Sequence, residues 1–247
     1  MDRKRQFRPG LIPTIAFLMV LPALVALGFW QLDRASQKRD LQQQYDQRSR
    51  QNPIQIGRTL VDREKVRFYR VTTSGDYDYA HQFLVDNRVL DKKVGYYVIT
   101  PLQIKNTNTL LLVNRGWVSG NPDRSVLPDI PQPGGEVIVT GTAVVPHDKV
   151  FQLAKELPIG KEWPTVWQRV DMKRFTGAVN QKVQPFIVLL DPASKAGGLE
   201  RKWKRLDTGI AVHQGYAFQW FSLALALAAI YFFVNFRRSS DENRKES

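Results

Sequence analysis

The chain has 247 residues, a formal charge of +13 and a pI near 10.0. It contains no cysteine, which excludes a disulfide framework and thiolate ligands for zinc, copper or iron–sulfur clusters. The mean hydropathy of −0.33 is typical of a soluble protein, but it averages over two concentrated apolar stretches near the ends. Basic residues are scattered except at Arg201–Arg205, shortly before the second stretch. We therefore expect membrane lipids rather than nucleic acid as a partner.

The first apolar stretch, residues 11–32, is long enough for a helix to cross about 30 Å of hydrocarbon. A cleaved signal peptide is the alternative, because Ala26-Leu27-Gly28 has the small-x-small pattern of a cleavage site. The stretch exceeds the usual apolar core of about 7–15 residues, and it leaves through an aromatic pair, Phe29-Trp30, suited to a membrane interface. These features favour a retained anchor.

The middle of the chain is predicted to be rich in β-structure. Residues 33–50 are polar and continue the first helix, and Pro53 marks its boundary. Turn residues at Ser74–Asp76 and a short helix at 171–179, with Asp171 as its N-cap, interrupt the β pattern. Strands are predicted from β-branched and aromatic content at residues 66–73, 81–85, 94–100, 109–118, 136–145 and 185–191.

The second apolar stretch, residues 213–236, ends at Arg237-Arg238. The predicted fold is an α+β membrane protein, with two transmembrane helices flanking a compact antiparallel β-rich extracytoplasmic domain. Its predicted parts are a cytoplasmic N-terminus (1–10), transmembrane helix 1 (11–32), the extracytoplasmic domain (33–212), transmembrane helix 2 with its outer end (213–236) and a cytoplasmic tail (237–247).

Orientation follows from the charges that flank the two stretches. Basic side chains precede the first stretch and follow the second, so both termini are predicted to be cytoplasmic and the central domain periplasmic. The segment before the first stretch is too short for a typical transit peptide, which favours a multi-pass protein of the bacterial inner (plasma) membrane. The flanking basic residues are Arg3, Lys4, Arg5 and Arg8 at one end and Arg237, Arg238, Arg244 and Lys245 at the other.

The sequence carries no recognisable catalytic pattern. Its histidines, His81, His147 and His213, are far apart and form no His-Glu-x-x-His motif. A glycine-rich phosphate loop and a Gly-x-Ser-x-Gly motif are also absent from the sequence. We therefore expect a protein that is not an enzyme, and a membrane-tethered enzyme or sensor is the less favoured alternative.

Two short segments are candidates for binding. On a helix, His213, Tyr216, Ala217 and Trp220 share one face, where a histidine and large rings suit a flat, apolar, metal-containing ligand. Interfacial anchoring explains this face equally well. In the segment Asn114–Trp117, Arg115 suits an anion and Trp117 a stacking partner, although a β-bulge whose arginine stem covers apolar surface is the more favoured interpretation.

Three segments together resemble signatures of the Surfeit locus protein 1 family: Gly28–Arg34, Val113–Val118 and His213–Phe221. Their order, their spacing and the two terminal apolar stretches match as well, so the resemblance covers essentially the whole chain. The family consists of membrane-anchored assembly factors for haem–copper terminal oxidases, especially cytochrome c oxidase. Bacterial relatives are implicated in binding haem a and supporting its delivery to the catalytic subunit.

The resemblance implies an assembly factor that binds haem a transiently, with His213 as candidate axial ligand of the haem iron. Tyr216 and Trp220 are expected to contact the porphyrin, Arg34 or Arg115 to pair with the propionates, and Trp117 to belong to the same binding set. Expected partners are the catalytic subunit of a haem–copper oxidase and haem a synthase. The alternative is a haem-independent membrane scaffold that holds oxidase subunits during assembly.

Overall fold

The structure is a computed structural model that describes residues 5–7, 9–146, 159, 162–203 and 209–238. Its helices are α1 (Leu11–Arg48), α2 (Arg63–Val66), α3 (Met172–Ala178) and α4 (Ile210–Asn235), with a 3₁₀ turn at Tyr79–His81. Its strands are β1 (Arg5–Phe7), β2 (Ile54–Gln55), β3 (Arg70–Tyr77), β4 (Phe83–Leu90), β5 (Lys93–Ile104), β6 (Thr109–Ser119), β7 (Val137–Val144), β8 (Val166–Trp167), β9 (Lys182–Leu190) and β10 (Phe236–Arg238).

The chain divides into a helical unit and a barrel unit. The helical unit comprises Met1–Gln43 and Leu206–Ser247, and the barrel unit comprises Gln44–Arg205. Helices α1 and α4 are long and apolar enough to cross a membrane. In the most apolar 18-residue stretch of each helix, only 6% and 11% of the residues, respectively, are buried. So little burial is unlike the core helix of a soluble protein. The predicted continuation of the first helix beyond residue 32 is confirmed, because α1 runs to Arg48.

Within the helical unit, α1 and α4 pack antiparallel. The Thr14 and Tyr231 hydroxyls lie 2.9 Å apart, and the Phe17 ring stacks on Tyr231 with centroids 4.1 Å apart. Further along, Gly28 faces Phe221 so closely that a Cβ on Gly28 would come within 2.6 Å of the ring. The missing side chain therefore lets the two helices approach. Strands β1 and β10 pair antiparallel at the far end.

The barrel unit is built on five strands that close into a ring. β3, β7, β9, β6 and β5 pair in that order, and β5 pairs back with β3 at Gly75–Tyr77. β4 extends the sheet from β5, while β8 and β2 add two-residue edges. The prediction of a β-rich domain between two apolar helices is confirmed. The expected antiparallel arrangement holds only in part, because β6 and β9 are parallel neighbours inside the ring.

Strand β6 lies between two apolar clusters, which explains its nearly continuous apolar sequence. Leu111 and Val113 point into the barrel, where they pack with residues such as Val139 and Phe186. The alternate residues of β6 pack outside the barrel in a second cluster, whose buried members include Leu110, Leu112, Phe83, Trp167 and Phe175. Both faces of β6 are thus removed from water.

Several predicted boundaries shift for identifiable reasons. The strand expected from residue 66 begins at Arg70, because Asp62 caps the short helix α2 by accepting from the Glu64 amide at 3.0 Å. Ser74–Asp76 is not a turn but part of β3. There Gly75 lets β3 close on β5, since a Cβ would lie 2.0 Å from the Gln103 carbonyl oxygen.

Other boundaries agree closely. The 3₁₀ turn ends at His81, so β4 starts two residues later than predicted, at Phe83. Helix α3 has the predicted N-cap, with Asp171 accepting from the Arg174 amide at 3.0 Å. Helix α4 starts at Ile210, three residues before the predicted second span. The predicted domain limits at residues 33 and 212 and the placement of the cytoplasmic segments stay predictions.

Candidate functional site

His213 lies in the first turn of α4 and is held by a residue of α1. Its Nδ1 is 2.8 Å from Oε1 of Gln31. The side chain is half-buried, and within the described part of the chain no hydrogen-bond partner reaches Nε2. A histidine held at one ring nitrogen with the other open has the arrangement of a metal-binding imidazole.

The depth of this histidine along the helix pair can be worked out from helix geometry. Tyr231, which bonds Thr14 at the other end of the pair, is 18 residues after His213, or about 27 Å along α4 at 1.5 Å per residue. This length approaches the ~30 Å thickness of the hydrocarbon layer. A bilayer that covers the Thr14–Tyr231 end would therefore place His213 near its opposite surface.

The predicted aromatic face of α4 is only partly open. Tyr216 is 48% exposed and Trp220 is half-buried. Ala217, the small residue of this predicted face, is only 1% exposed. Trp30, which precedes Gln31 on α1, is also 48% exposed.

Arg34 is on α1, three residues after Gln31. It therefore lies on the same face, about 4.5 Å further along the helix. The side chain is exposed, with Nη1 donating to Oε1 of Gln37 at 3.0 Å and Cζ 5.6 Å from the centroid of the Trp30 ring. In this position the guanidinium can donate hydrogen bonds to an anionic group without breaking a buried contact.

The segment around Arg115 forms a β-bulge, as the more favoured interpretation of the sequence predicted. Val98 pairs with Gly116 and Ile99 with Asn114, so Arg115 is the extra residue of β6. Gly116 has φ +140°, and a Cβ there would lie 2.6 Å from the Glu200 carbonyl oxygen. Glycine is required because both the backbone angle and the close approach exclude a side chain.

Arg115 is fully buried and held by neutral acceptors. Nη1 donates to Oε1 of Gln82 at 3.0 Å, and Nη2 donates to the carbonyl oxygens of Gly197, at 2.9 Å, and Pro131. Its Cζ also lies 5.2 Å from the Tyr77 ring centroid. Within the described ranges no carboxylate pairs with this cation. Arg115 thus fastens two loops, at residues 131 and 197, to strand β6.

Burial dominates the electrostatics of this cluster. It lowers the pKa of Arg115, and the nearby charge of Arg201 acts in the same direction, while Tyr77 and Tyr79 oppose it. Burial also raises the pKa of Tyr77 well above its ordinary value. Among the residues that the structure describes, the buried Tyr77 hydroxyl and Nε of Arg115 have no hydrogen-bond partner.

Trp117 has the contacts of a packed residue rather than of a stacking platform. It is 7% exposed, its Nε1 donates to the Arg88 carbonyl oxygen at 2.8 Å, and its ring lies over Gly95. Its backbone bridges to Glu200, donating to that carbonyl oxygen at 2.7 Å. Trp117 therefore anchors the segment after residue 198 to β6.

His81 has its own partners within the barrel unit. Nδ1 of His81 lies 2.5 Å from Oδ2 of Asp78, and its ring packs edge-on against Trp163 in the barrel unit. His147 lies outside the described residues. Among the residues that the structure describes, no three His, Cys, Asp or Glu side chains are grouped to hold a metal ion. One histidine is sufficient as a protein ligand for haem, because the porphyrin supplies four ligands of the iron.

The six predicted site residues fall into two sets. His213, Tyr216, Trp220 and Arg34 belong to the helical unit, whereas Arg115 and Trp117 belong to the barrel unit. Whether any of them contacts haem stays a prediction. The sequence-based set omitted Gln31, the residue bonded to His213. Its position in Gly28–Arg34, beside the proposed arginine, was the available signal.

Comparison with known proteins gives consistent matches over most of the chain. The family model described as the SURF1 family matches residues 18–225. A SURF1-like protein of Monosiga brevicollis is 26% identical over 235 residues, covering 89% of this chain and 86% of that protein. Surfeit locus protein 1 of Mus musculus is 24% identical over 242 residues, covering 90% and 76%. A SURF1-like protein of Rickettsia bellii (strain RML369-C) is 23% identical over 223 residues, covering 88% of each chain.

Proposed function

We propose that the chain binds haem a and helps deliver it to the catalytic subunit of a haem–copper terminal oxidase. The basis is its family: the chain belongs to the SURF1 family, whose members are known in general as oxidase assembly factors. In this proposal the protein is not an enzyme, and haem a is its cargo. Haem a synthase is the candidate donor and the oxidase catalytic subunit the recipient.

The observation that carries the proposal is the state of His213. Nδ1 is engaged by Gln31 at 2.8 Å, and Nε2 is open within the described part of the chain. An imidazole nitrogen in this state is a suitable axial ligand for haem iron. Tyr216, three residues after His213 on α4, and Trp30, the residue before Gln31 on α1, are each 48% exposed and offer aromatic surface for the apolar macrocycle.

Arg34 supports the same site from α1. A haem carries two carboxylates, and an exposed guanidinium one turn beyond Gln31 suits a charge-assisted hydrogen bond to one of them. Arg115 suits this role less well, because each of its terminal nitrogens already donates to internal acceptors. A propionate contact at Arg115 would require those bonds to be exchanged.

The proposed location is the inner membrane of a bacterium, with α1 and α4 as the two spans. The bacterial relative in Rickettsia bellii and the low burial of both helices support this proposal. Both termini are cytoplasmic and the barrel unit is periplasmic, because basic residues flank both helices on the terminal side.

The experiment is haem loading of the full-length protein, purified in detergent from cells that make haem a. Wild type is expected to carry haem a with a defined absorption spectrum, and His213→Ala to lose most of it because the axial ligand is gone. His81→Ala is the matched control, since His81 bonds Asp78 within the barrel unit. The proposal is refuted if His213→Ala keeps wild-type haem stoichiometry and spectrum.

A scaffold that never holds haem makes the opposite prediction for partner binding. If capture of the oxidase catalytic subunit is unchanged in cells that cannot make haem a, and the purified protein carries no haem, the scaffold alternative is favoured. If haem loading and the His213→Ala loss are both observed, the haem-delivery proposal stands.

A further inference from the structure

Gln31 is hydrogen-bonded to Nδ1 of His213. The direction of that hydrogen bond determines whether the other ring nitrogen, Nε2, can bind a metal ion. A neutral imidazole carries a single proton. If Oε1 of Gln31 accepts at 2.8 Å, the proton is on Nδ1, and Nε2 keeps its lone pair. If the amide instead donates to Nδ1, the proton is on Nε2, which then cannot bind a metal ion.

We propose that Gln31 is the positioning residue of the haem site: its Oε1 accepts a hydrogen bond from Nδ1–H of His213, which fixes the tautomer and directs Nε2 toward the cargo. This inference rests on the proposed function. Gln31 itself need not touch the haem, because it acts through the histidine. Partners of this kind typically change metal affinity by about 10–100-fold when they are removed.

The helix pair gives Gln31 little freedom to do otherwise. Gly28, one turn before Gln31, is buried against the Phe221 ring, and the Phe29 and Phe221 ring centroids are 5.3 Å apart. These contacts fix the register of α1 against α4 just beyond the Gln31–His213 hydrogen bond, toward the middle of the two helices. The amide is therefore held opposite His213 by packing as well as by the hydrogen bond.

A neutral amide also suits a protein that must release its cargo. A carboxylate in the same position would polarise Nδ1–H more strongly, and the histidine would become a stronger ligand. An amide fixes the same tautomer with a weaker effect on the iron. The choice of glutamine thus combines a correctly placed ligand with a bond that can be broken.

The test uses the full-length protein in detergent with three substitutions. Gln31→Leu removes the acceptor at similar size, Gln31→Glu keeps an acceptor and adds charge, and Gln219→Leu makes the same amide-to-isobutyl change at an exposed position of α4. The measurements are the haem dissociation constant by titration, the reduction potential of the bound iron, and the rate of haem transfer to excess apomyoglobin.

We expect Gln31→Leu to weaken haem binding by about 10–100-fold and to speed transfer, because the tautomer is no longer fixed. Gln31→Glu is expected to bind haem at least as tightly, to transfer it about tenfold more slowly and to shift the reduction potential to more negative values. Gln219→Leu is expected to match wild type in all three measurements.

Two outcomes separate the inference from the proposal on which it rests. If His213→Ala loses haem but Gln31→Leu keeps the wild-type haem affinity, reduction potential and transfer rate, the inference is wrong. Gln31 then serves only to hydrogen-bond the two helices together. If His213→Ala also keeps haem, the proposed function has failed. A lower thermal stability of Gln31→Leu without any change in haem binding likewise contradicts the inference.

Discussion

Replacing Arg115 gives the sharpest structural prediction, because the two accounts of this residue differ in measurable ways. Arg115→Met keeps an apolar stem of similar length but removes the guanidinium that fastens the loops at Pro131 and Gly197 to β6. Of these two carbonyl oxygens, that of Gly197 belongs to a buried residue and that of Pro131 to an exposed one. Oε1 of Gln82 also loses this donor but still accepts from the Thr100 hydroxyl at 2.8 Å. Each unsatisfied buried acceptor costs about 1–3 kcal/mol, and removal of a buried charge offsets part of that cost.

The expected net loss for Arg115→Met is about 2 kcal/mol in the free energy of unfolding. For a unit of this size, each kcal/mol lowers Tm by about 2–4 °C, so Tm should fall by about 4–8 °C. Near-ultraviolet circular dichroism of the detergent-purified chain measures this change. Arg58→Met is the matched control: Arg58 is exposed and donates to the Asn106 carbonyl oxygen at 3.2 Å, so the loss should stay below about 0.5 kcal/mol.

Arg115→Lys separates the structural account from a propionate-binding account. A single ammonium cannot reach all the acceptors of the guanidinium, so an intermediate loss of Tm is expected, with haem loading unchanged below Tm. The structural account, in which Arg115 fastens the two loops to β6, is refuted if Arg115→Met unfolds at the same temperature as Arg58→Met. It is also refuted if Arg115→Lys is as stable as wild type but no longer binds haem.

The remaining predictions concern Tyr77 and membrane orientation. Because burial raises the pKa of Tyr77 in the folded state, the contribution of the neutral phenol to stability is complete below pH ~10 and is lost as the pH rises above that value. Tyr77→Phe should therefore flatten the fall of Tm between about pH 9 and pH 11. An unchanged fall would contradict this assignment. The chain has no cysteine, so single cysteines report topology cleanly. A membrane-impermeant maleimide should label Val126→Cys from the periplasm and Ser247→Cys only after the inner membrane is disrupted; the reverse pattern would overturn the proposed orientation.

Local patterns were sufficient for much of the architecture. Long apolar stretches predict the two helices because a helix satisfies its own backbone groups, and α1 even continues past residue 32 as its polar extension indicated. The N-cap at Asp171 and the strand at Thr109–Ser119 were likewise predictable from neighbouring residues. In each case the decisive interactions are short-range in sequence or depend on burial alone.

Closure of the sheet depended on contacts between distant residues. Gly75 has the appearance of a turn residue, but it lies in a strand because β3 must approach β5 there, and the partner at Gln103 is not visible from the local sequence. The parallel pairing of β6 with β9 has the same origin: the two strands are separated by about 70 residues, and no local pattern fixes their direction.

The candidate site shows the same division. Local sequence was enough to predict that His213 stands at the end of an apolar helix with aromatic neighbours, and it favoured a β-bulge around Arg115. That Gln31 holds the histidine, that Ala217 is buried and that Arg115 is enclosed by neutral acceptors became visible only in the folded chain. These outcomes depend on which residues meet across helices or loops, and hydrogen bonds between residues more than 30 positions apart leave no signal in local periodicity.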